Sequence, residues 1–411
     1  MRKKFPENFY WGAATSSHQV EGGNVNDWSE WEKTNAKRLS EEAKKRWPDW
    51  QKEKFPEMFQ EKNYISGRAC DHYNLFEKDF EIAKSLGHNA HRFSIEWSRI
   101  EPEEGKFNEE AIEHYRQVIQ SLKSRNIEPF VTLWHWTLPI WMRDLGGVKS
   151  KKFPKYFSRY VEKMAQVFGQ DVKFWITLNE PNIYTGQSYV IGCWPPQKNN
   201  VVFYYQVIKN LIKAHKQSFN IIKNINPQAQ VGIAQSYNFF EFLGGKIINK
   251  IVGKVVGYVW SLYFLDRTKK QQDFIGLNNY YRKTVGFKSK KTDNKFSNLS
   301  WEIFPEAIYH CLMDLKKYQK PIYITENGLA DVEDKYRAEF IKSYLTNVQR
   351  AIQEGVDVRG YFYWSLLDNF EWDKGFWPRF GLVEVNYQTL ERKIRPSAWE
   401  YKKIIENNSL D

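Results

Sequence analysis

Eight short runs of apolar residues alternate with longer amphipathic segments from one end of the chain to the other. We predict a strand for each run, at residues 10–15, 90–95, 129–133, 174–178, 230–234, 274–277, 322–325 and 360–364. Between most of them, apolar residues recur at helical spacing, at 75–86, 112–122, 156–168, 202–225, 301–315 and 338–352. Regular alternation of strands and helices predicts an α/β fold with a parallel sheet.

A closed (β/α)₈ barrel accounts best for this alternation, because each apolar strand is then buried on both faces and each crossover is helical. A doubly wound open sheet is the alternative fold. Its usual cofactor motif, GxGxxG after the first strand, is absent, and so is a GxxxxGK[ST] phosphate loop. Since no Gly/Ser-rich or Pro-rich linker divides the sequence, we predict one (β/α)₈ TIM barrel domain over residues 1–411.

The net charge of +12 raises the question of a polyanionic partner such as RNA. The basic residues are dispersed in short clusters, so we expect solvated faces and no nucleic-acid partner. No stretch approaches the ~18 apolar residues of a membrane span, and the N-terminus lacks an apolar core of a signal peptide. Three distant cysteines, Cys70, Cys193 and Cys311, fit neither a disulfide framework nor a metal motif. We therefore expect a cytoplasmic protein without membrane association, and the oligomeric state stays open.

Polar residues stop the apolar runs, at the strand ends that form the active-site face of a barrel. Two of them are carboxylates on opposite sides of the ring, Glu180 after the fourth run and Glu326 after the seventh. Opposed carboxylates in a pocket rich in Trp and amides are the minimal equipment for glycoside cleavage. From its position alone, each carboxylate is explained equally well as a catalytic group and as a buried salt-bridge partner. The other strand-end residues are His18, Gln19, Arg92, Glu96, His135, Asn179, Asn278, Tyr280, Asn327 and Trp364.

Five short segments carry distinctive motifs. They are SHQVEG at 17–22, RFSIEWSRI at 92–100, TLNEP at 177–181, ITENG at 324–328 and WSLLDNFEW at 364–372. Together, and in this order, they resemble glycoside hydrolase family 1, the β-glucosidases and β-galactosidases. The resemblance covers nearly the whole chain. It implies a (β/α)₈ barrel that hydrolyses small β-glycosides or oligosaccharides with net retention of configuration and uses no metal or organic cofactor.

The resemblance also implies roles for the residues around the two carboxylates. Glu180 in Asn-Glu-Pro is then the general acid/base, and Glu326 in Thr-Glu-Asn-Gly is the nucleophile. Asn179 binds the sugar 2-hydroxyl and steadies the transition state.

Three further residues support the carboxylates in this interpretation. Arg92 and Tyr280 donate hydrogen bonds to the nucleophile, and Asn278 lies on the acid/base side. Asn278 and Tyr280 belong to an Asn-x-Tyr element whose middle residue is usually Tyr in the family and is Asn279 here.

The resemblance places a glycone subsite at Gln19, His135, Trp364, Glu371 and Trp372, where polar groups bind hydroxyls and indole faces pack on the sugar ring. Trp301 is expected to form a platform on the aglycone side. A role as core aromatic residues explains Trp364 and Trp372 equally well, since most of the 17 tryptophans must pack in the core. His18 is expected to be a wall residue.

Three other functions remain to be weighed. In a 6-phospho-β-glycosidase, Glu371 would repel the phosphate, and phosphate-selective members typically carry a small residue there and a lysine downstream. A thioglucosidase replaces the acid with Gln, whereas this chain has Glu180. A non-catalytic sugar-binding barrel would not need both carboxylates. The leading hypothesis is therefore a retaining exo-β-glycosidase acting on β-glucosides, with β-galactosides and β-fucosides as secondary substrates.

The segment between the fifth and sixth strands, residues 236–272, is shorter than the family pattern leads us to expect. We expect its reduction to open the aglycone side of the pocket, so that bulky aglycones are tolerated. An apolar stripe in this segment is expected to pack on the barrel, with a second subunit or a membrane surface as alternatives. Its members are Ile247, Ile248, Ile251, Val252, Val255 and Val256.

Overall fold

A closed barrel of eight parallel strands forms the centre of the protein. The computed structural model describes residues 3–242, 255, 257–285 and 295–410. The strands follow one another around the ring in sequence order, and the last pairs with the first. They are β1 (Tyr10–Ala14), β2 (Ala90–Ser94), β3 (Glu128–Thr132), β4 (Phe174–Asn179), β5 (Gln230–Ser236), β6 (Phe274–Asn278), β7 (Ile322–Asn327) and β8 (Val358–Trp364). The prediction of an eight-stranded barrel is confirmed.

The observed strands coincide closely with the predicted ones, but four of them run further toward the carboxyl end. β4 continues to Asn179, β5 to Ser236, β6 to Asn278 and β7 through Glu326 to Asn327. The apolar pattern could not mark these ends, because several of the residues there are polar. The extensions keep the strand-end side chains on hydrogen-bonded backbone, with shifts in pairing register near the ends of β4 and β7.

Helices cover the outside of the barrel and fill the connections. In the described residues the α-helices are Ser17–Val20, Asp27–Arg46, Asp49–Lys54, His72–Ser85, Trp97–Ile100, Glu109–Ser124, Ile140–Asp144, Phe153–Phe168, Pro181–Thr185, Val201–Ile225, Tyr263–Thr268, Glu306–Leu315, Arg337–Gln353 and Pro396–Asn407. Of the helical segments in this part of the chain, none is both long and apolar enough to cross a bilayer.

One predicted helix begins later than expected. The pattern at 301–315 predicts helix from Trp301, whereas the helix starts at Glu306. Pro305 precedes it, and a proline disfavours helical backbone at the residue before it. Trp301 consequently lies in a loop at the barrel mouth.

Shorter elements complete the chain. Single-turn 3₁₀ segments lie at Pro56–Phe59, Glu61–Tyr64, Gly147–Lys149, Lys269–Gln271, Lys316–Tyr318 and Trp372–Lys374, and π-helical turns at Gly186–Ile191 and Tyr258–Leu262. Three two-stranded sheets pair Lys3–Lys4 with Ser409–Leu410, Phe239–Phe242 with Arg282–Val285, and Val383–Val385 with Arg392–Ile394. The pair Phe239–Phe242 and Arg282–Val285 is parallel and lies in the connections that follow β5 and β6.

Aromatic rings fill the amino-terminal half of the barrel interior. Phe130 and Phe174 stack with ring centroids 4.1 Å apart, and Tyr10, Tyr323 and Phe362 pack on Phe130 at 4.7–5.4 Å. These side chains close the barrel from below, as layers of bulky residues do in this fold. A ligand can therefore enter only from the carboxyl ends of the strands.

Candidate active site

A pocket of about 130 Å³ lies at the carboxyl ends of the strands. Nine of the predicted site residues line it: Gln19, His135, Glu180, Tyr280, Trp301, Glu326, Trp364, Glu371 and Trp372. The other three, Arg92, Asn179 and Asn278, do not line the pocket but hydrogen-bond the two carboxylates or their neighbours. All twelve therefore belong to one connected site.

Glu326 is held by two donors, one on β2 and one in the connection after β6. Arg92, on β2, donates from Nη1 to Oε1, and the Tyr280 hydroxyl donates to Oε2 at 2.6 Å. The Arg92 guanidinium is itself fixed by the Asn179 side-chain oxygen at 2.6 Å and by Thr132 Oγ1 at 3.1 Å. Burial and the charge of Glu326 raise the pKa of Tyr280 well above its usual value, so this phenol stays a donor. Glu326 thus has a fixed orientation and a charged partner.

Glu180 has a different environment. It follows β4 directly, at a positive φ of 42°, and Pro181 then begins a short helix. Its Oε1 accepts a hydrogen bond from the Asn278 amide at 2.9 Å. Burial, reinforced by the charge of Glu326, raises the pKa of Glu180 to about 8. At neutral pH the Glu180 carboxyl is therefore protonated, whereas Glu326 is bonded to Arg92. Two carboxyls that share the work of acid and nucleophile require such a difference in environment.

An amide and imidazole network fixes the side chains between the carboxylates. The Asn179 oxygen accepts from Arg92 and from Asn278 at 3.2 Å, so its Nδ2 must be the donor to His135 Nε2, at 3.0 Å. His135 then carries its proton on Nδ1, which has no partner among the described residues. Burial lowers the pKa of His135 well below its usual value. The neutral imidazole therefore has one N–H free to donate.

Glu371 and Gln19 lie on another side of the pocket. The Gln19 amide donates to Asn369 Oδ1 at 3.0 Å and to the Phe370 carbonyl at 2.7 Å. Burial raises the pKa of Glu371 to about 8, although the charge of Lys374 opposes the rise. Lys374 also lines the pocket. Both a carboxyl and an ammonium group are therefore available to hydroxyls at this end.

Asp373 anchors the loop that carries these residues. It accepts from Lys374 Nζ at 2.6 Å, Trp194 Nε1 at 2.9 Å and Arg46 Nη1 at 3.0 Å. Burial alone would raise the pKa of Asp373, but the Lys374 and Arg46 charges prevail and lower it to about 2. The loop is thereby tied to the helix Asp27–Arg46.

Two groups of aromatic rings form the walls. Near Gln19, the His135 ring lies almost parallel to Trp364 at 6.1 Å and to Trp372 at 5.9 Å. Both tryptophans are buried and pack in the core, and both also line the pocket. A role in core packing is therefore compatible with the predicted role in the glycone subsite. A Cβ at Gly328 would lie 1.9 Å from the Trp364 carbonyl oxygen, which explains a glycine there.

The second group of rings is built around Trp301. Its ring packs against Tyr281 at 5.1 Å, Tyr280 at 5.7 Å and Phe380 at 6.0 Å. All four residues line the pocket, and in the described part of the chain their rings do not stack on the His135 group. The pocket therefore has two separate aromatic walls.

The sequence did not predict several residues of this pocket. Trp136, Tyr281 and Lys374 adjoin predicted residues in sequence and could have been found by widening the motifs by one to three positions. Trp194 lies in a loop, and no local pattern marks it. In contrast, besides Arg92, Asn179 and Asn278, three more strand-end residues do not line the pocket. His18 bonds Glu32 at 2.7 Å, and Glu96 and Asn327 bond other buried side chains or backbone.

The segment after β5 is only partly described. Residues Ile247, Ile248, Ile251, Val252 and Val256 of the predicted apolar stripe lie outside the described residues. Val255 is described and is 56% exposed. The expected packing of this stripe stays a prediction.

Comparisons with family models, known sequences and solved structures all identify the same protein family. The chain matches the model of Glycosyl hydrolase family 1 over residues 1–251 and 261–410. It is 32% identical to Beta-glucosidase A of Thermotoga maritima, over 100% of this chain and 99% of that protein, and 33% identical to Beta-glucosidase A of Acetivibrio thermocellus, over 98% of each. Among solved structures it resembles a beta-glycosidase from Pyrococcus horikoshii, with a TM-score of 0.88 and 36% identity over 100% and 97% of the chains. It also resembles the Thermotoga maritima beta-glucosidase in complex with glucoimidazole, with a TM-score of 0.89 and 31% identity over both whole chains.

Proposed function

Because the chain belongs to glycosyl hydrolase family 1, we propose that it cleaves β-glucosides by double displacement, with Glu326 as the nucleophile and Glu180 as the acid/base. As a member of this family, the protein is a β-glucosidase-like glycoside hydrolase. The observation that carries the assignment of roles is the unequal environment of the two carboxyls: Arg92 and Tyr280 hold one, and burial keeps the other protonated.

In the first step, a Glu326 oxygen attacks the anomeric carbon while the Glu180 proton passes to the glycosidic oxygen. The carbon–oxygen bond breaks, its electron pair stays on the leaving oxygen, and the aglycone departs as a neutral alcohol. In the second step, ionised Glu180 takes a proton from water. The water oxygen attacks the anomeric carbon, Glu326 leaves, and Glu180 is protonated again. Two displacements at one carbon give net retention.

Several polar groups of the site are available to bind the hydroxyls of a sugar. Asn179 Nδ2 uses one hydrogen on His135 and has a second for the 2-hydroxyl. The free Nδ1–H of His135 and the Glu371 carboxyl then bind other hydroxyls, with Trp364 and Trp372 against the ring. Both amide hydrogens of Gln19 are already engaged, so Gln19 binds a hydroxyl only as an acceptor, through its side-chain oxygen.

Relatives support the choice of substrate class. They are named as beta-glucosidases and, for Pyrococcus woesei, as a beta-galactosidase. We propose β-glucosides as the main substrates and β-galactosides and β-fucosides as secondary ones. A screen of nitrophenyl glycosides that differ only in the sugar tests this order, and a larger kcat/KM for any other sugar contradicts it.

A 6-phosphorylated sugar is the second candidate, since Lys374 lines the pocket close to Glu371. Glu371 occupies the place where a phosphate would need space and positive charge, and we propose that it favours the neutral sugar. The same screen with the 6-phosphate of the nitrophenyl glucoside decides between them.

A bell-shaped pH profile of kcat/KM is expected for alkyl glucosides. Glu180 must be protonated to act as the acid, so activity falls as pH rises through its pKa of about 8. Glu371 has a pKa of about 8 as well. The variants Glu180→Gln and Glu371→Gln therefore form a matched pair. Loss of the alkaline limb is expected in Glu180→Gln alone; an alkaline limb that persists in Glu180→Gln and vanishes in Glu371→Gln contradicts the assignment.

Aglycone tolerance is a further expectation from the short segment after β5. With fewer contacts on that side, kcat/KM should vary little among methyl, octyl and aryl glucosides once leaving-group pKa is taken into account. A steep loss with aglycone bulk contradicts an open mouth.

We also propose a cytoplasmic location. All three cysteines are free, and Cys70 and Cys311 are buried. Unpaired thiols of this kind suit a reducing compartment. Cell fractionation with an antibody tests the proposal, and recovery from the medium or the periplasm contradicts it.

A further inference from the structure

A second and larger cavity, of about 470 Å³, lies beside the active site. It is formed where the start of helix Asp27–Arg46 meets the loops after β3 and β4. Its lining residues and those of the catalytic pocket do not overlap. The volume falls within the ~300–1,000 Å³ typical of small-molecule sites. Nothing in the reaction proposed above uses this cavity.

A buried carboxyl group faces this cavity. Asp27 is 4% exposed, and its Oδ1 accepts a hydrogen bond from the Leu138 backbone N–H at 2.7 Å. Burial raises the pKa of Asp27 to about 7, and no lysine or arginine pairs with it in the described part of the chain. A carboxyl buried without a cationic partner costs free energy, and each additional hydrogen-bond donor lowers that cost. A hydroxyl group of a ligand would supply one.

The remaining lining combines both charges with an apolar surface. Glu30 adds a second carboxyl group, and Arg143, Lys149 and Lys198 add positive charges. This mixture matches neither an anion nor a cation, whereas a neutral polyhydroxy ligand can donate to the acids and accept from the bases. Trp31, Tyr184 and the two prolines at 195 and 196 provide rings on which apolar C–H faces can pack.

The wall between the two cavities is a row of tryptophans. Trp31 lines the second cavity and contacts Trp28 at 5.2 Å, and Trp28 contacts Trp372 of the catalytic pocket at 4.5 Å. Trp31 is also tied to the exposed Gln197 of the loop after β4, through Nε1 to Oε1 at 2.8 Å. Gln197 therefore helps to set one side of the cavity without belonging to the core.

From this lining we infer that the second cavity is a binding site for a neutral saccharide, separate from the catalytic pocket. The ligand class follows from the buried carboxyl, the mixed charges and the indole surface. The inference goes beyond the proposed reaction and does not depend on the roles of Glu180 and Glu326.

Saturation-transfer NMR with cellobiose as the probe tests this site. The protein is first saturated with deoxynojirimycin, which is found in complex with the Thermotoga maritima relative and would occupy the catalytic pocket. Cellobiose signals are expected to persist in this mixture. Affinity should fall about tenfold in Trp31→Ala, since an indole surface is lost. Trp399→Ala, which removes an exposed tryptophan on helix Pro396–Asn407, is the matched control and should bind as the native protein does.

Because Trp31 is buried, weaker binding by Trp31→Ala can also result from misfolding. A second variant at an exposed residue separates the two explanations. Gln197→Ala changes an exposed residue and should also weaken cellobiose binding, with an unchanged melting temperature. The inference is overturned if deoxynojirimycin abolishes the cellobiose signal, or if both cavity variants bind like Trp399→Ala. Hydrolysis of an aryl glucoside by the same variants without inhibitor reports separately on the proposed function: no hydrolysis by the native protein overturns that function, whereas cellobiose binding by the cavity variants alone decides the second site.

Discussion

Replacing Glu326 with alanine is expected to lower kcat/KM for aryl β-glucosides by about 10⁶-fold, the scale seen when a nucleophile is removed from other enzymes. This corresponds to about 8 kcal/mol of transition-state stabilisation. The loss should be equally large for good and poor leaving groups, because no covalent intermediate can form. Initial rates on 2,4-dinitrophenyl and methyl β-glucoside measure it.

Two controls separate chemistry from folding in this experiment. The alanine variant leaves the buried Arg92 without its carboxylate, which destabilises a protein by about 3–5 kcal/mol. Glu326→Gln keeps an oxygen for Arg92 and similar volume, so it should be inactive with a nearly native melting temperature. Added azide can enter the space left by alanine and should give the α-glucosyl azide from a β-glucoside with a good leaving group. A β-azide from Glu326→Ala contradicts the nucleophile role.

The second large effect is expected in Glu180→Ala, and it should depend on the leaving group. For methyl β-glucoside, kcat/KM should fall by about 10²–10⁴-fold, the usual contribution of general acid catalysis. For 2,4-dinitrophenyl β-glucoside the leaving group needs no proton, so kcat/KM should change little. The second step lacks its base in this variant, so kcat should fall and a burst of dinitrophenol should appear.

Azide again reports on stereochemistry in this variant. It should attack the glucosyl-enzyme in place of water and give the β-glucosyl azide, the opposite anomer to that from Glu326→Ala. Glu371→Ala provides a comparison, since it removes a neighbouring carboxyl with a similarly raised pKa and should weaken sugar binding without this leaving-group dependence. If Glu180→Ala and Glu326→Ala respond alike to leaving group and azide, the roles are wrong.

The barrel and most of its catalytic end could be predicted from the sequence because both depend on local patterns. Apolar runs mark strands that are buried on both faces, and the polar residues that stop them, such as Glu180 and Glu326, mark the mouth. The helix predicted from Trp301 was wrong at its start, since periodicity continued past Pro305 and the effect of the proline on backbone outweighed it.

Other features depend on distant contacts and could not be predicted in this way. Trp194 is placed by a hydrogen bond to Asp373, 179 residues away, and nothing around it in sequence signals a pocket. The raised pKa of Glu180 depends on burial between several strands. The second cavity arises where three connections meet, so no single segment carries a pattern for it. The expectation that His18 is a wall residue was wrong, because it lies in the short helix Ser17–Val20 after β1 and its side chain bonds Glu32 without reaching the pocket.

Proton NMR of the sugar first released from a β-glucoside tests the central claim most directly. The native protein is mixed with a rapidly hydrolysed aryl β-glucoside, and the anomeric signals are followed before mutarotation equilibrates them. Double displacement through a glucosyl-Glu326 intermediate predicts that β-glucose appears first and α-glucose grows in later at the rate of mutarotation. If α-glucose is instead the first product, a single displacement by water is at work, and the roles proposed for Glu326 and Glu180 are wrong.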